Sequence, residues 1–185
     1  VYFDRSRNKL TQFGAEEIDG YKLRREGLPY NEYYMLECIG VFDTEDEVKN
    51  SPKQFNDNTL PGDLKYKDQN NDGVIDNDDR IPMSGRFPGF EYSVNAGVSW
   101  KGFDFSMFWQ GVGKADGYLN KQATMPFYWG ASALEMHKDH WTEDNPNARF
   151  PRLAFNETNN EQNSSFWMAN AAYLRLKNVT LGYTF

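Results

Sequence analysis

The sequence predicts an all-β chain, an antiparallel segment of a transmembrane β-barrel with about four to five strands. The first observation is that residues 92–100, 103–110 and 178–185 alternate apolar with polar side chains, the period of a strand with two different faces. The second is that the connections differ in length, because two residues join the first two stretches whereas residues 13–91 and 113–171 form long irregular segments. Outer-membrane barrels combine short turns on one side of the membrane with long loops on the other.

The composition agrees with strands that carry aromatic faces between polar loops. Aromatic residues make up 16% of the chain, yet its mean hydropathy of −0.80 is that of a very polar protein. The net charge of −7 disfavours nucleic acid as a partner, since phosphate binding would require a basic stripe that the sequence lacks. Cys38 is the only cysteine in the sequence and forms no internal disulfide, so we expect a small buried side chain there.

The first element is the end of a strand, which we place in residues 1–12. The loop predicted for residues 13–91 is irregular in pattern. Short strands are expected within residues 21–29 and 33–42, because turn residues separate two stretches rich in aromatic and aliphatic side chains.

A short helix is predicted after these strands. Thr44 is followed three residues later by Glu47, the spacing of a capping box, in which each side chain accepts a backbone hydrogen bond from the other end of the turn. The helix should run to about Asn50, since Pro52 restricts the residue before it.

An acidic segment, residues 68–79, carries side-chain oxygens at positions 1, 3, 5, 9 and 12 and Gly73 at position 6, the spacing of a twelve-residue calcium loop. A hard cation requires about six to eight oxygens at about 2.3–2.6 Å, and glycine allows the sharp turn that brings them together. The expected metal ligands, with Val74 acting through its carbonyl, are Asp68, Asn70, Asp72, Val74, Asp76 and Asp79. Position 12 is Asp rather than the longer Glu. The alternative is a solvated acidic turn without a metal. Because two long amphipathic helices do not flank the loop, we expect structural calcium rather than a calcium switch.

The alternating stretches place apolar residues on one face and small polar residues on the other. We assign residues 92–112 to a β-hairpin that reverses at Lys101-Gly102, and residues 172–185 to a further strand. These strands approach the ~9–11 residues that cross a bilayer at a tilt, so their apolar faces should meet lipid and their polar faces a wet lumen. A soluble β-sandwich alternates as well, so the period alone leaves both possible. With the tight reversal in the periplasm, both long loops would be extracellular.

The second long loop, 113–171, is aromatic and irregular. Ser132 and Glu135 form another capping box, and a short helix should end near Thr142. His137 and His140 could share a face of this helix, but their spacing does not fit the two-histidine zinc motif, so packing or surface roles are expected. Five aromatic side chains of the loop could stack on sugar rings or pack a small core: Phe127, Tyr128, Trp129, Trp141 and Trp167.

Several motifs occur together in the order of one family. They are residues 61–68 leading into the acidic loop, then 100–106, 108–111, 147–153 and 164–167, and the most specific is Ala172-Tyr-Leu-Arg-Leu-Lys-Asn-Val-Thr-Leu-Gly-Tyr183. With these motifs the chain resembles the SusC/RagA-type TonB-dependent transporters of Bacteroidetes outer membranes. Ala169-Asn170 departs from the Arg-Asp pair associated with that position, so the local salt bridge of that pair is not expected.

The resemblance implies a barrel of about 22 strands with an N-terminal plug. It also implies a location in the cell outer membrane, import of oligosaccharides or peptides with energy relayed by TonB, and a SusD-like lipoprotein partner. The chain resembles part of the C-terminal half of such a barrel and contains neither plug nor TonB-contacting segment. Because open sheet edges in lipid leave backbone groups unpaired, we expect the rest of the barrel and its plug to complete it among outer-membrane lipid.

The sequence leaves two other function classes beside a transporter. One is a secreted, calcium-stabilised β-sandwich that binds glycans through loop aromatics, in which the apolar strand faces would pack against a second sheet. The other is an enzyme, which we do not expect, because no nucleophile and base occur at useful spacing and most acidic residues are explained by calcium coordination and solvated loops.

Overall fold

The computed structural model describes residues 1–83, 85–119, 124–155 and 157–185. It is all-β, with antiparallel sheets and little helix, as the alternating pattern predicted. The chain divides into two compact units. Unit 1 comprises residues 1–33, 83–117 and 169–185, and unit 2 comprises residues 34–82 and 118–168. No helix in the part of the chain that the structure describes is both long and apolar enough to cross a membrane.

Twelve strands are numbered here in chain order within the described residues. They are β1 (Tyr2–Asp4), β2 (Glu17–Asp19), β3 (Lys22–Arg24), β4 (Glu32–Leu36), β5 (Cys38–Val41), β6 (Leu64–Tyr66), β7 (Arg80–Met83), β8 (Phe90–Trp100), β9 (Phe103–Gly113), β10 (Asp116–Tyr118), β11 (Met168–Asn170) and β12 (Tyr173–Tyr183).

The main sheet of unit 1 has the strand order β1-β8-β9-β12, and all its neighbours are antiparallel. The three long strands have 11 residues each, a length suited to a tilted crossing of a bilayer. β8 and β9 form the hairpin, in which Trp100 pairs with Phe103. The two turn residues, Lys101 (φ 48°) and Gly102 (φ 85°), both adopt the positive φ of a type I′ turn, whose twist matches that of the strands.

The first predicted strand region is shorter than the sequence suggested. Within residues 1–12 only β1 is a strand, and within 21–29 only β3, which pairs with β2 across a tight turn. β3 ends in a turn around Gly27 (φ 88°), in which the backbone carbonyl of Arg25 accepts a hydrogen bond from the backbone N–H of Leu28. The segment predicted at 33–42 contains β4 and β5, and the ladders are β2-β3-β4-β7 and β5-β6.

Helix α1 (Glu45–Lys49) begins as its capping box predicted. The backbone N–H of Glu47 donates to the Thr44 hydroxyl at 3.2 Å, and the Glu47 carboxylate accepts from the backbone N–H of Asp43 at 2.8 Å. The helix ends at Asn50, whose backbone N–H bonds Asp46. Three acidic residues in its first turn suit the positive end of the helix dipole.

The second predicted helix is wrong in its start, length and type. A 3-10 helix covers Glu135–Lys138, and its N-cap is Leu134 rather than Ser132. The Ser132–Glu135 pair makes no cap, because the backbone N–H of Leu134 donates to Nδ1 of His137 at 2.9 Å instead. A buried imidazole thus accepts the hydrogen bond of the N-cap backbone, the part that the sequence assigned to the Glu135 carboxylate.

Unit 2 is held by two small apolar clusters. The first consists of Leu36, Leu64, Tyr66 and Ile75, and the second of Met125, Phe150 and Trp167. The hydroxyl of the buried Tyr66 donates to the backbone carbonyl of Asn159 at 2.7 Å. Burial raises the pKa of this phenol well above its usual value, so it acts as a neutral donor.

Candidate functional site

The main sheet has one apolar face that continues across three strands. Direct cross-strand partners share a face of an antiparallel sheet, and the pairing aligns four apolar rows across β8, β9 and β12. The rows are Val94–Trp109–Leu176, Ala96–Met107–Val179, Val98–Phe105–Leu181 and Trp100–Phe103–Tyr183. Trp100 is 67% exposed and Leu181 72% exposed, so this face is not packed like a soluble core.

Aromatic rings mark both ends of this apolar face. At the turn end, the rings of Phe103 and Tyr183 contact each other at a tilt, with centroids 4.5 Å apart. At the other end, Phe3 and Phe90 stack at 5.5 Å, and the rings of Phe90 and Tyr92 lie over the glycines Gly113 and Gly111 of β9. Aromatic girdles at the two interfaces, with aliphatic residues between them, are typical of strands that cross an outer membrane.

The opposite face of the same sheet is mostly polar; its apolar side chains are Phe108 and, at the end far from the turn, Tyr2, Val112 and Tyr173. Its cross-strand rows are Ser93–Gln110–Arg175, Asn95–Phe108–Asn178, Gly97–Ser106–Thr180 and Ser99–Asp104–Gly182. The Ser99 hydroxyl donates to the Asp104 carboxylate at 2.7 Å. Small hydroxyl, amide and glycine positions make a surface that water can wet, which suits the inner wall of a passage.

A β-bulge in β12 keeps the apolar face continuous. Leu176 pairs with Trp109, but Asn178 pairs with the next residue of β9, Phe108, so Lys177 has no partner of its own. In a regular strand Leu176 and Val179, which are three residues apart, would lie on opposite faces, because successive side chains alternate; the bulge absorbs Lys177 and returns both to one face. The even and odd apolar positions of β12 therefore belong to one surface.

The acidic loop 68–79 folds into the tight turn that its spacing predicted. Asn71 (φ 61°) and Gly73 (φ 86°) both adopt left-handed backbone, which asparagine and glycine tolerate. Both oxygens of Asp68 accept backbone hydrogen bonds across this turn, from Asn71 at 2.6 Å and from Gly73 at 2.9 Å. The carboxylate at position 1 is thereby directed toward the concave side of the turn.

The other proposed ligands are held by similar local bonds. The amide oxygen of Asn70 accepts from the backbone of Asp72, the carboxylate of Asp72 accepts from that of Val74, and Asp76 accepts from that of Asp78, at 2.9, 2.9 and 2.7 Å. An ionised carboxylate has about four acceptor positions, so an oxygen that accepts one N–H keeps capacity for a cation.

Asp79, at position 12, is fully buried. Its oxygens accept backbone hydrogen bonds from both ends of the loop, Gln69 at 2.7 Å and Asp76 at 2.9 Å, and no lysine, arginine or histidine of the described chain forms an ion pair with it. Burying a carboxylate without a countercharge is costly. Asp79 is therefore placed where a cation would offset its charge.

The loop is anchored to unit 2 at its centre. Ile75 is buried in the first apolar cluster, and backbone hydrogen bonds join Lys53 to Gly73 at 2.9 Å and Ile75 to Lys53 at 2.7 Å. Among residues 1–83, 85–119, 124–155 and 157–185, no three His, Cys, Asp or Glu side chains form a group placed to hold a metal ion. The donor set of the loop, which also includes Asn70 and a carbonyl, fits a hard cation in chemistry.

The two histidines have packing roles rather than a shared ligand. His137 is buried, accepts a hydrogen bond at Nδ1, lies 2.6 Å from the Thr124 carbonyl through Nε2, and contacts the edge of Phe150. His140 lies 3.0 Å from the carbonyl of His137 through Nδ1. Through its two ring nitrogens, His137 joins Leu134 and Thr124 within the second loop.

Among the loop aromatics, the structure separates packing from exposure. Trp141 and Trp167 are buried, and the indole N–H of Trp167 donates to the carbonyl of Asn160 at 3.0 Å. Phe127 and Tyr128 are half-buried, whereas Trp129 is 84% exposed and stacks against Tyr128. Only Trp129 of these five therefore offers an open ring face.

A buried charge network was not visible in the sequence. Asp63 is fully buried and accepts hydrogen bonds from the backbone of Leu60 and the amide of Asn160. The Arg152 guanidinium forms an ion pair with Asp63, with Nε 2.6 Å from Oδ1 but poorly aligned, and Nη2 donates to both Asp63 and Glu157 at 3.0 and 2.8 Å. Arg152 lies in the family-like motif 147–153, whose spacing carries no hint of a partner 89 residues away.

No protein-family model matches the chain. Among curated proteins, it is 27% identical over 149 residues to TonB-dependent receptor P26 of Formosa agariphila, an alignment that covers 80% of this chain and 15% of that protein. It is 25% identical over 195 aligned residues to TonB-dependent receptor P3 of the same organism, covering 98% of this chain and 19% of that protein. The chain spans less than a fifth of the length of either relative.

Solved structures share the fold. The structure of the RagAB peptide importer in the open-open state matches 98% of this chain and 19% of its own chain, with a TM-score of 0.64 and 19% identity. A structure of the RagAB peptide transporter matches 89% of this chain and 17% of its own chain, with a TM-score of 0.63 and 21% identity. The resemblance to SusC/RagA-type TonB-dependent transporters that the motifs predicted is therefore confirmed.

Proposed function

We propose that this chain forms barrel wall and external loops of an outer-membrane importer that takes up oligosaccharides or peptides together with a SusD-like surface lipoprotein. The observation that carries the proposal is the two-faced sheet, whose apolar face is exposed and bordered by aromatic rings at both ends. The relatives support it, because they are named as TonB-dependent receptors and the structural neighbours are described as a peptide importer and a peptide transporter. None of these names describes an enzyme.

In this proposal the tight turn Lys101-Gly102 lies in the periplasm, and residues 13–91 and 113–171 lie outside the cell. The rest of the barrel continues from β1 and β12, the two edges of the main sheet in the described chain. Their backbone groups would otherwise be unpaired in lipid. The plug and the contact with TonB belong to other parts of the protein. A secreted β-sandwich is the weaker candidate, since it would require Trp100 and Leu181 to be covered by a second sheet.

Adjacent residues on opposite faces of β12 provide the test. Val179 lies in the central apolar row and Thr180 in a polar row, and both side chains are exposed in this structure. In the complete protein, Val179→Arg should reduce the stability of the assembled barrel by about 2–4 kcal/mol, because it places a charge in the middle of the bilayer. Thr180→Arg should cost little. Heat-dependent migration of the folded barrel on gels, after purification from outer membranes, measures the difference.

A soluble β-sandwich predicts another outcome. Its second sheet would cover the apolar face, so Val179→Arg would be costly there as well, but the complete protein would stay in solution without detergent. Solubility without detergent, or equal behaviour of the two variants, would therefore contradict the membrane assignment.

We also propose that the acidic loop binds structural Ca²⁺ through Asp68, Asn70, Asp72, Val74, Asp76 and Asp79. The support is the donor set at calcium-loop spacing, the positive-φ turn at Asn71 and Gly73, and the buried Asp79 without a cationic partner. When bound, the ion would offset carboxylate charge and join both ends of the loop. Extracellular calcium modules bind at about 10⁻⁴–10⁻³ M, so such a site would act structurally in millimolar calcium.

Calorimetry of the complete protein, first stripped with chelator, tests the calcium proposal. Asp72→Ala should weaken calcium binding and make residues 60–90 more sensitive to protease. Asp46→Ala is the matched control, because that aspartate is exposed on α1 outside the loop. If wild-type protein were indifferent to calcium and chelator, the calcium assignment would be wrong while the membrane assignment would stand.

A further inference from the structure

Three adjoining cavities of unit 1 share one aromatic side chain. Cavities of about 260, 150 and 620 Å³ all border Phe87, and the first and third also share Arg7, Gly85 and Gly89. Together they form a continuous depression, here called the Phe87 groove. Phe87 is 42% exposed, so part of its ring is open to a ligand. Concave sites of this size are where small molecules bind in proteins.

The walls of the Phe87 groove are held in place by the backbone. Asp116 donates its backbone N–H to the carbonyl of Gly85 at 2.7 Å, and Gly89 donates to that of Lys114 at 3.0 Å. Neither glycine could become alanine without a shift, since a Cβ at Gly89 would lie 2.8 Å from the Cβ of Lys114 and one at Gly85 would collide with the Asp116 carboxylate. The two chain segments therefore approach closely and keep the groove preformed.

Three cationic side chains at the groove form no ion pair within the described residues. They are Arg5 and Arg7 at the 260 Å³ cavity and Lys114 at the 620 Å³ cavity, which Asp116 also borders. Elsewhere in unit 1 the pattern differs, because Arg24 pairs with Glu17 at 2.6 Å and Arg25 pairs with Glu16. The groove thus has unused positive charge.

The charge of the unit reinforces this local preference. Unit 1 contains eleven lysines and arginines against nine aspartates and glutamates, whereas unit 2 contains nine against eighteen. The net charge of −7 therefore belongs to unit 2, and unit 1 is slightly positive. Within the groove, the 260 Å³ cavity has two arginines against one acid, Glu32, so this part of it can attract an anionic group from solution.

A buried acid at the base of the groove adds a second kind of contact. Glu32 borders the 260 Å³ cavity and is only 4% exposed. Burial raises the pKa of this carboxyl, while the nearby Arg86 guanidinium opposes the shift. A carboxyl group has several acceptor positions, so Glu32 at the cavity wall can bind a hydroxyl or N–H group of a ligand.

We propose that the Phe87 groove binds a carboxylate-bearing ligand, with the anionic group at Arg5 and Arg7, the ligand body against Phe87, and a hydrogen-bond donor at Glu32. This inference rests on the proposed import function and assigns acidic substrates to it. Sugar acids and acidic peptides share this chemistry, since both combine carboxylates with hydroxyl or N–H donors. The other acids at the groove lie away from the 260 Å³ cavity: Asp4 and Glu91 border the 150 Å³ cavity, and Asp116 borders the 620 Å³ cavity together with Lys114.

The test uses calorimetry on the complete transporter in detergent, with four probes. Trigalacturonate and triglutamate carry the carboxylates, and maltotriose and trialanine are their neutral-chain counterparts. At least one acidic probe should bind, more weakly as salt is raised, because salt screens charge interactions. The double variant Arg5→Gln, Arg7→Gln should weaken that binding at least tenfold. Lys9→Gln is the matched control, since Lys9 is an exposed cation two residues beyond the groove, and should leave binding unchanged.

Several outcomes would overturn the proposal. They are binding of neither acidic probe to wild-type protein, equal binding of the neutral probes, and unchanged affinity in the double variant. Preference for one acidic probe over the other would identify the source of the carboxylate. The binding result does not depend on the comparison of Val179→Arg with Thr180→Arg, because binding is measured on purified protein. Equal behaviour of those two variants would contradict the proposed import function itself.

Discussion

Asp63 is a single carboxylate on which much of unit 2 depends. It is fully buried, and Arg152, Asn160 and the backbone of Leu60 all bond its oxygens. The neighbouring amide of Asn160 also accepts from the backbone of Leu64 at 2.8 Å, which connects the network to β6. The ion pair of Asp63 with Arg152 therefore links the segment before the acidic loop with the second long loop.

Arg152→Ala is expected to destabilise unit 2 by about 3 kcal/mol, because removing one partner leaves a buried charge without compensation. Urea unfolding of the complete protein, followed by tryptophan fluorescence, measures the loss. Lys138→Ala is the control, since its ion pair with Glu135 is exposed on both sides and such pairs contribute little. A loss no larger than that of the control would show that Asp63 does not depend on Arg152.

Cys38 is expected to resist alkylation. Burial raises the pKa of its thiol to about 11, although a hydrogen bond to the Gly40 carbonyl opposes the shift. Only the thiolate reacts, and at pH 8 about one thiol in a thousand would be ionised. Mass spectrometry after iodoacetamide treatment at pH 8 checks this resistance to alkylation, and rapid labelling of the folded protein would contradict it.

The raised pKa of Cys38 also makes stability depend on pH. The contribution of the thiol to the free energy of unfolding is complete below the unfolded pKa and is lost as pH rises from about 9 toward 11.

At the scale of elements, the bulge at Lys177 accommodates one extra residue in β12. Deleting Lys177 alone would leave Leu176, Asn178 and Val179 in strict alternation against β9, so Leu176 and Val179 would stay on the apolar face and the barrel should assemble. Deleting Lys177 and Asn178 together would pair Val179 with Phe108 and move it to the polar face, because a shift of one residue reverses every later side chain. We expect this double deletion to prevent assembly in the outer membrane. Immunoblots of folded and unfolded forms in outer-membrane fractions compare the two variants, and normal assembly of the double deletion would contradict the role of the apolar face.

The hairpin and the acidic loop owe their shapes to short-range chemistry. Lys101-Gly102 reverses the chain with both residues at positive φ, and Asn71 and Gly73 do the same in the acidic loop. Each turn contains a glycine and is closed by near neighbours, the hairpin by the pairing of β8 with β9 and the acidic loop by hydrogen bonds to Asp68. Both turns therefore depend on residues close to them in the chain.

At the scale of the whole molecule, the main sheet ends in β1 and β12 within the described chain. β12 is a long strand whose apolar side chains are exposed, and an unpaired strand of this kind readily joins another chain. Expressed alone without detergent, the 185-residue chain should therefore self-associate. Light scattering coupled to size exclusion measures its mass. A stable monomer in plain buffer would contradict both the open edges and the lipid-facing surface.

Much of this organisation could be predicted from the sequence, because its causes are local. Alternation predicted β8, β9 and the end of β12, since side chains of a strand change face at every residue. The Thr44 cap predicted α1, and the oxygen spacing predicted the tight turn of the acidic loop; its calcium remains a prediction. The second capping box failed because the helix begins after Leu134, and His137, which is buried by tertiary contacts, accepts the N-cap backbone hydrogen bond in place of Glu135.

The sequence by itself therefore determined the two-faced strands, their hairpin and the acidic turn, because each depends on neighbours within a few residues. Only the tertiary structure decided the pairing of Asp63 with Arg152, the burial of Glu32 beside unpaired arginines, and the bulge that joins two apolar periods of β12. These features depend on contacts between residues far apart in the chain or on register with another strand. No local pattern specifies such distances, since they arise only when the strands and loops pack together.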